Sequence, residues 1–212
     1  MANDYALGHS EHELERLIAQ GQFLGDLTEH MLRVAGLAPG MRVLDVGCGA
    51  GDVSFLAARL VGPSGHVLGV DRSPDAVRAA TQRAAQARVA NVEFRAASID
   101  ALTLEPPDTP VDALIGRLVL MYFPHPETVL AHLARFVRPG GVVMFQELDA
   151  LSASAEPPCD EYQRAGDRIS ATLQRAKADL RTGLKLPRIF VAAGLPRPQT
   201  LQMARVEHGP DA

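Results

Sequence analysis

The stretch Val43-Leu44-Asp45-Val46-Gly47-Cys48-Gly49-Ala50-Gly51 constrains the chain more than any other. A short apolar, β-branched run of strand length passes directly into three glycines at alternate positions, and Val53 to Leu60 then reads as a helix. Glycines there let the main chain turn sharply and let a ligand approach it with no Cβ in the way. A tight strand-to-helix turn needs only one such residue, so the three together point to ligand contact.

Strand and helix alternate from this turn onward. His66 to Val70 reads as a strand, Pro74 to Ala87 as a helix with Ser73 at its N-cap and Pro74 at its first position, and Val92 to Ala96 as a third strand. Val111 to Gly116 and Gly141 to Glu147 continue the strands, with a helix over Glu127 to Val137 between them, started by Pro126 and closed by Pro139-Gly140. The strands are apolar on both faces, which predicts an α/β doubly wound domain with a mostly parallel sheet covered by helices on each side. Before it, Ser10-Glu11-His12-Glu13 forms a capping box ahead of Leu14, Leu17 and Ile18, and a second helix is expected over Phe23 to Ala35, ended by Gly36. After Asp149 the pattern predicts a long helix over Asp160 to Leu180, a helix opened by Pro187, and a final strand-like segment, Gln199 to Glu207. The loop Glu105 to Pro110 is too short to link domains. A single domain is therefore expected over 1–212, with a helical part at 1–38, a ligand-binding core at 40–150, and a helical insertion with a last strand at 151–212.

Composition narrows the partners. With 47% hydrophobic and 22% charged residues the chain is that of a packed globular domain, and its net charge of −4 gives no general attraction to a phosphate backbone, so nucleic acid is not an expected partner. The runs Phe55 to Val61 and Leu118 to Phe123 fall far short of the roughly 18 apolar residues of a membrane span, and Met1 to Tyr5 carry no signal-peptide pattern. Two cysteines, Cys48 and Cys159, supply neither a disulfide framework nor a zinc set. The expectation is a cytoplasmic protein with no metal and no membrane partner.

Open parallel sheets bind ligands outside the carboxyl ends of their strands. Asp71 ends the second strand, twenty residues past Gly51, a spacing at which a carboxylate accepts from both hydroxyls of a ribose. It could instead cap the next helix, but Ser73 already takes that place. A dinucleotide fingerprint would need glycine at position 52, where the chain has Asp52, so an NAD-dependent oxidoreductase is the weaker reading.

The glycine turn resembles motif I of the class I S-adenosylmethionine-dependent methyltransferases, of the small-molecule, ubiquinone-biosynthesis-like group. The resemblance continues through Gly69-Val70-Asp71, Val111-Asp112-Ala113-Leu114-Ile115 and Leu133 to Gly141, in family order, over residues 40 to 148 and an N-terminal helical lid. It implies a Rossmann-like fold, S-adenosylmethionine as cofactor, and a small-molecule methyl acceptor. By position, Asp45 would hold the turn and the amino end of the methionine moiety, Gly47 and Gly49 would pass the cofactor against the main chain, and Asp71 would take the ribose hydroxyls. Ser98 stands where the family usually has an adenine-binding Asp, so adenine contact would draw on Asp100 or on stacking against Arg72 and Ile99. Gly116 and Arg117 fall where the methionine end and the acceptor meet, although Arg117 also reads as a surface ion-pair residue. Tyr5, His9 and Phe23 resemble lid residues.

The implied chemistry is in-line attack on an already activated sulfonium methyl, so alignment and exclusion of water matter most and a general base is optional. The candidates for one are His125, Glu147 and Asp149; His125 equally reads as a helix cap, and the two carboxylates as strand-end residues. The residues after the fourth strand, Gly116-Arg117-Leu118-Val119, are not the Asn-Pro-Pro-Tyr type of nucleic-acid adenine and protein glutamine methyltransferases. The family sheet has seven strands, whereas the pattern here supplies six. The seventh strand is therefore expected to be missing, and an unpaired edge leaves a homodimer open. A member that binds the cofactor without transferring methyl, as sensor or subunit partner, is a further reading.

Overall fold

The computed structural model describes residues 11–204 except 153, and within α1 the side chains of 11–19 and 22 lie outside that description. The elements are α1 (Glu11–Val34), β1 (Arg42–Val46), α2 (Asp52–Val61), β2 (His66–Asp71), α3 (Pro74–Ala87), β3 (Val92–Ala96), β4 (Val111–Arg117), α4 (Pro126–Ala134), β5 (Val137–Gln146), α5 (Asp160–Arg175) and α6 (Thr182–Ala192), with 3-10 turns at Ile99–Ala101 and Leu120–Tyr122.

The strands form one parallel sheet in the order β3-β2-β1-β4-β5. The chain winds outward from β1 through β2 to β3, then crosses back to place β4 on the other side of β1. This puts the switch point, where such sheets bind ligands, at the carboxyl ends of β1 and β4. Successive residues of each strand point to opposite faces and feed two cores. Leu44, Val46 and Leu114 join Leu130, Leu133, Ile189 and Phe190 of α4 and α6 on one face. Val43, Ala113 and Ile115 join Leu32 of α1 and Val53, Ala57 and Val61 of α2 on the other. This is the doubly wound, Rossmann-like fold that the alternation predicts. Among the described residues no helix is long and apolar enough to cross a membrane.

Five boundaries differ from the sequence expectation, each for a physical reason. The two N-terminal helices are one, α1, running through Gly21; a Cβ there would lie 2.5 Å from the Asp52 Cγ, so this glycine lets α1 lie close against α2 rather than breaking the helix. The capping-box residue Ser10 lies outside the described residues. α4 stops at Ala134 because β5 begins at Val137 and carries Pro139-Gly140 as an irregularity: Val111 pairs with Val137 but Ala113 with Val142. Proline is tolerated because β5 lies at the edge of the sheet among the described residues. α5 ends at Arg175, short of Leu180, and Lys177 follows it in a left-handed conformation with φ 57°. α6 opens at Thr182, with Pro187 inside it, where Gly183 packs on the carbonyls of Glu147 and Leu148. Finally, 199–204 form no strand. Leu201 and Met203 are exposed with no sheet neighbour to cover them, and 205–207 lie outside the described residues. The described sheet therefore has five strands rather than six.

Candidate active site

The glycine turn after β1 has left-handed backbone at Gly47, Gly49 and Gly51, with φ of 68°, 53° and 90°. Gly47 N–H and Cys48 N–H both donate to Val70 O, at 2.8 and 3.1 Å, which docks the turn on the end of β2. A Cβ at Gly47 would lie 2.6 Å from Val119 Cγ2, and one at Gly51 would lie 2.8 Å from Phe94 Cζ, so a side chain at either place must displace a neighbour. Arg83 of α3 holds the far side of the turn, donating to Ala50 O at 2.5 Å and to Asp52 Oδ1 at 2.8 Å.

Asp71 sits beside the turn. Its Oδ2 accepts from Gly49 N at 2.9 Å and its Oδ1 from Ser73 N at 2.8 Å, while the Ser73 hydroxyl caps α3 through Ala76 N at 3.2 Å, as the sequence predicts. One carboxylate thus ties the glycine turn to the start of α3. Beyond β3, Ser98 is exposed and its hydroxyl donates to Asp100, Ile99 is buried in the core, and Arg72 is exposed.

Behind the turn, Asp45 is buried and accepts from Ser54 Oγ of α2 at 2.5 Å. Burial pushes its pKa up to about 7, against the Ser54 hydrogen bond and the nearby Arg117 charge. Arg117, ending β4, donates from Nη1 to Thr28 Oγ1 at 3.1 Å, and the same hydroxyl lies 2.8 Å from Gln146 Oε1 and 2.9 Å from Leu24 O. α1 is thereby bonded to the ends of β4 and β5. Burial lowers the Arg117 pKa, and the fields of Asp52 and Asp45 oppose that shift.

Past β5, Glu147 Oε1 accepts from Val119 N at 2.9 Å and Leu120 N at 2.7 Å, with the Met121 N–H also directed at the carboxylate. Glu147 therefore caps the 3-10 turn that follows β4. It holds Leu118, a left-handed non-glycine residue with φ 54°, and Val119 against Gly47 and Gly116. Glu147 Oε2 is buried with no hydrogen-bond partner, and burial pushes the carboxyl pKa up to about 7. The side chain of Asp149 is only 8% exposed; its Oδ1 is likewise buried without a hydrogen bond, 3.4 Å from Arg181 Nε. His125 stands apart: its side chain is 78% exposed, 3.5 Å from Glu127, and makes no cap bond to α4. Phe23 is 47% exposed on α1, and Tyr5 and His9 lie outside the described residues.

The fold thus gathers Asp45, Gly47, Gly49, Asp71, Arg117 and Glu147 at the carboxyl edge of β1, β2, β4 and β5. Thr28, Gln146, Arg83 and Ser54 join them without having been expected. Only Gln146, a lone polar residue closing an apolar strand, carried a signal in the sequence. Among the described residues no cluster of ligating side chains could hold a metal ion.

Residues 37–194 match the family model described as a methyltransferase domain, and the chain belongs to that family. It is 38% identical over 159 residues to an arsenite methyltransferase of Halobacterium salinarum, covering 75% of this chain and 39% of that protein. It is 36% identical over 149 residues to a trans-aconitate 2-methyltransferase of Methylobacterium nodulans, covering 69% and 52%. The chain thus spans about two fifths to half the length of these relatives. Among solved structures, a SAM-dependent methyltransferase from Aquifex aeolicus superposes with a TM-score of 0.55 at 25% identity, covering 70% of this chain and 78% of that one. The [4+2]-cyclase SpnF superposes with a TM-score of 0.52 at 27% identity over 57% of this chain and 44% of that one.

Proposed function

We propose that this protein binds S-adenosylmethionine at the glycine turn and transfers its methyl group to a small-molecule acceptor. The observation that carries the reading is the Asp71 carboxylate beside three left-handed glycines at the switch point of a methyltransferase-family sheet. The donor set fits the cofactor. Asp71 keeps lone pairs beyond the two it gives to Gly49 and Ser73, enough to accept from ribose hydroxyls. Position 52, which a dinucleotide fold gives to glycine, is filled by an ion pair with Arg83.

In this reading Gly47 and Gly49 admit the cofactor against the main chain. Asp45, bonded to Ser54, and Arg117, bonded to Thr28 and through it to Gln146, enclose the methionine end. Ser98 spends its proton on Asp100, so the pair presents acceptor oxygens to the adenine amino group, with Arg72 beside it and Ile99 buried beneath. When bound, the cofactor supplies a methyl group on a positively charged sulfur. An acceptor taking that methyl would leave a neutral sulfur behind and would have a proton to lose. Glu147 Oε2 is the group that takes it, being buried and free, on a carboxyl that titrates near neutrality. His125 is too exposed for that role.

The likeness to SpnF favours a second reading, in which the same fold serves a reaction other than methyl transfer. Incubation with methyl-tritiated S-adenosylmethionine and a cell extract freed of macromolecules separates the two. The proposal expects tritium in an extractable small molecule. Bound cofactor with no transferred label supports the second reading.

A further inference from the structure

We propose that Thr28 is a positioning residue of the cofactor site: its hydroxyl, reaching in from α1, sets the Arg117 guanidinium and turns the Gln146 amide so that the nitrogen meets the hydroxyl and the oxygen faces the ligand. This rests on the methyltransferase reading above and names what aims the groups at the methionine end.

A proton count leads to it. Thr28 is fully buried, and its Oγ1 lies 2.9 Å from Leu24 O, 2.8 Å from the Gln146 amide and 3.1 Å from Arg117 Nη1. A hydroxyl donates one proton and accepts up to two. Arg117 only donates and Leu24 O only accepts. If the Gln146 oxygen were the near atom, two acceptors would compete for that single proton, and one pair of oxygens would stand in contact with no proton between them. A half-turn of the amide exchanges its oxygen and nitrogen without changing its shape. The set is then complete: Arg117 and Gln146 Nε2 donate to Thr28, and Thr28 donates to Leu24 O one turn back along the helix.

The place suits the methionine end of the cofactor. Arg117 and Gln146 are register partners at the ends of β4 and β5, and Val46 pairs with Gly116, so Arg117 lies level with the start of the glycine turn. Among the described residues Arg117 pairs with no carboxylate; Asp52 and Asp45 act on it through their fields alone. A guanidinium carries five N–H groups, so Arg117 keeps donors beyond the one given to Thr28. Gln146 is half-buried, and the oxygen turned away from Thr28 is open to a ligand. A cationic donor beside a neutral acceptor matches the two groups of an amino acid, the carboxylate to Arg117 and the ammonium to the amide oxygen. Both side chains are long and rotatable, and a shared bond to one buried hydroxyl removes that freedom before the ligand arrives.

The test titrates the full chain by calorimetry with S-adenosylhomocysteine and with 5′-methylthioadenosine, which lacks the amino-acid end. Wild type is expected to bind S-adenosylhomocysteine at least tenfold tighter than 5′-methylthioadenosine. Thr28→Val should weaken S-adenosylhomocysteine about tenfold and leave 5′-methylthioadenosine within twofold, a split that general loosening of the fold would not produce. Thr28→Ser, which restores the hydroxyl, should return within threefold of wild type. In an Arg117→Met background, Thr28→Val should add less than twofold, because the group it positions is gone. Should Thr28→Val not fold, Gln146→Met, which takes the amide from the same hydroxyl, carries the same expectations for the two ligands. A valine or methionine variant that binds S-adenosylhomocysteine within twofold of wild type, a folded variant that loses both ligands equally, a serine variant no better than valine, or full additivity with Arg117→Met overturns the proposal. Failure of the wild-type chain to bind S-adenosylhomocysteine overturns the methyltransferase reading itself, and this inference with it.

Discussion

Asp71→Ala lowers the affinity for S-adenosylmethionine about 100-fold or more while leaving the chain folded. The carboxylate is asked to do two things at once. In the proposed reading it receives the ribose hydroxyls, and charge-assisted hydrogen bonds of that kind are worth roughly 1.5 to 3 kcal/mol each. It also holds Gly49 N–H and Ser73 N–H, so its loss frees the glycine turn from the start of α3 and the cofactor must order that turn on binding. Two lost ribose bonds alone account for about 100-fold, since each factor of ten is about 1.4 kcal/mol. Asp71→Asn keeps one acceptor oxygen and should fall between the two. Calorimetric titration of the three proteins, with circular dichroism to verify folding, checks the ranking. An Asp71→Ala chain that binds as tightly as wild type removes Asp71 from the site.

Glu147 carries the second large effect, and alanine and glutamine separate its roles. Glu147→Ala leaves the N–H groups of Val119 and Leu120 without their acceptor at the foot of a left-handed Leu118, at about 1 to 3 kcal/mol for each buried donor. Removing the unpaired Oε2 offsets part of that. The net loss of a few kcal/mol should lower Tm by about 5 to 15 °C in a chain of this size. Glu147→Gln keeps the turn and should melt within a few degrees of wild type, yet it cannot take a proton, so its methyl transfer falls about 100-fold or more.

Both variants also differ from wild type in pH dependence. The folded-state pKa of Glu147, about 7, lies above its ordinary 4.5, so between those values the folded chain holds a proton that the unfolded chain has released. Stability therefore falls as pH rises from about 4.5 to about 7 and levels off above. Asp45 adds the same trend from its ordinary 3.8 to about 7. Each group contributes a slope of at most about 1.4 kcal/mol per pH unit. Denaturant melts from pH 4.5 to 8 should show a shallower decline in Glu147→Gln than in wild type. An equally steep decline would mean that Glu147 does not hold that proton.

What the sequence discloses of this protein follows from which interactions are local. The glycine turn, the Ser73 cap with Pro74 behind it, and the apolar strands are local patterns, and β1, β3 and α3 lie where those patterns place them. The position of Asp71 beside the turn was legible because it depends on spacing from the glycines. The partners that fix the site were not, because each bond spans the chain. Thr28 meets Arg117 and Gln146 only when α1 packs on the sheet, and nothing about a threonine inside an amphipathic helix marks it. The division into two N-terminal helices fails because Gly21, which lies between the two expected segments, sits inside α1 as a close contact with the Asp52 side chain of the neighbouring helix. Gln199 to Glu207 misled because alternation predicts a strand only where an open sheet edge meets it, and the described part of that segment has no such neighbour. For Glu147, sequence offered a carboxylate at a strand end; its cap on the 3-10 turn and its unpaired oxygen appear only in three dimensions.

Calorimetric titration of the wild-type chain with S-adenosylmethionine, S-adenosylhomocysteine and NAD tests the central claim most directly. The glycine turn, Asp71 and the Asp52–Arg83 ion pair predict saturable one-to-one binding of the first two and none of NAD. A folded chain that binds NAD, or that binds neither S-adenosylmethionine nor S-adenosylhomocysteine, would contradict it.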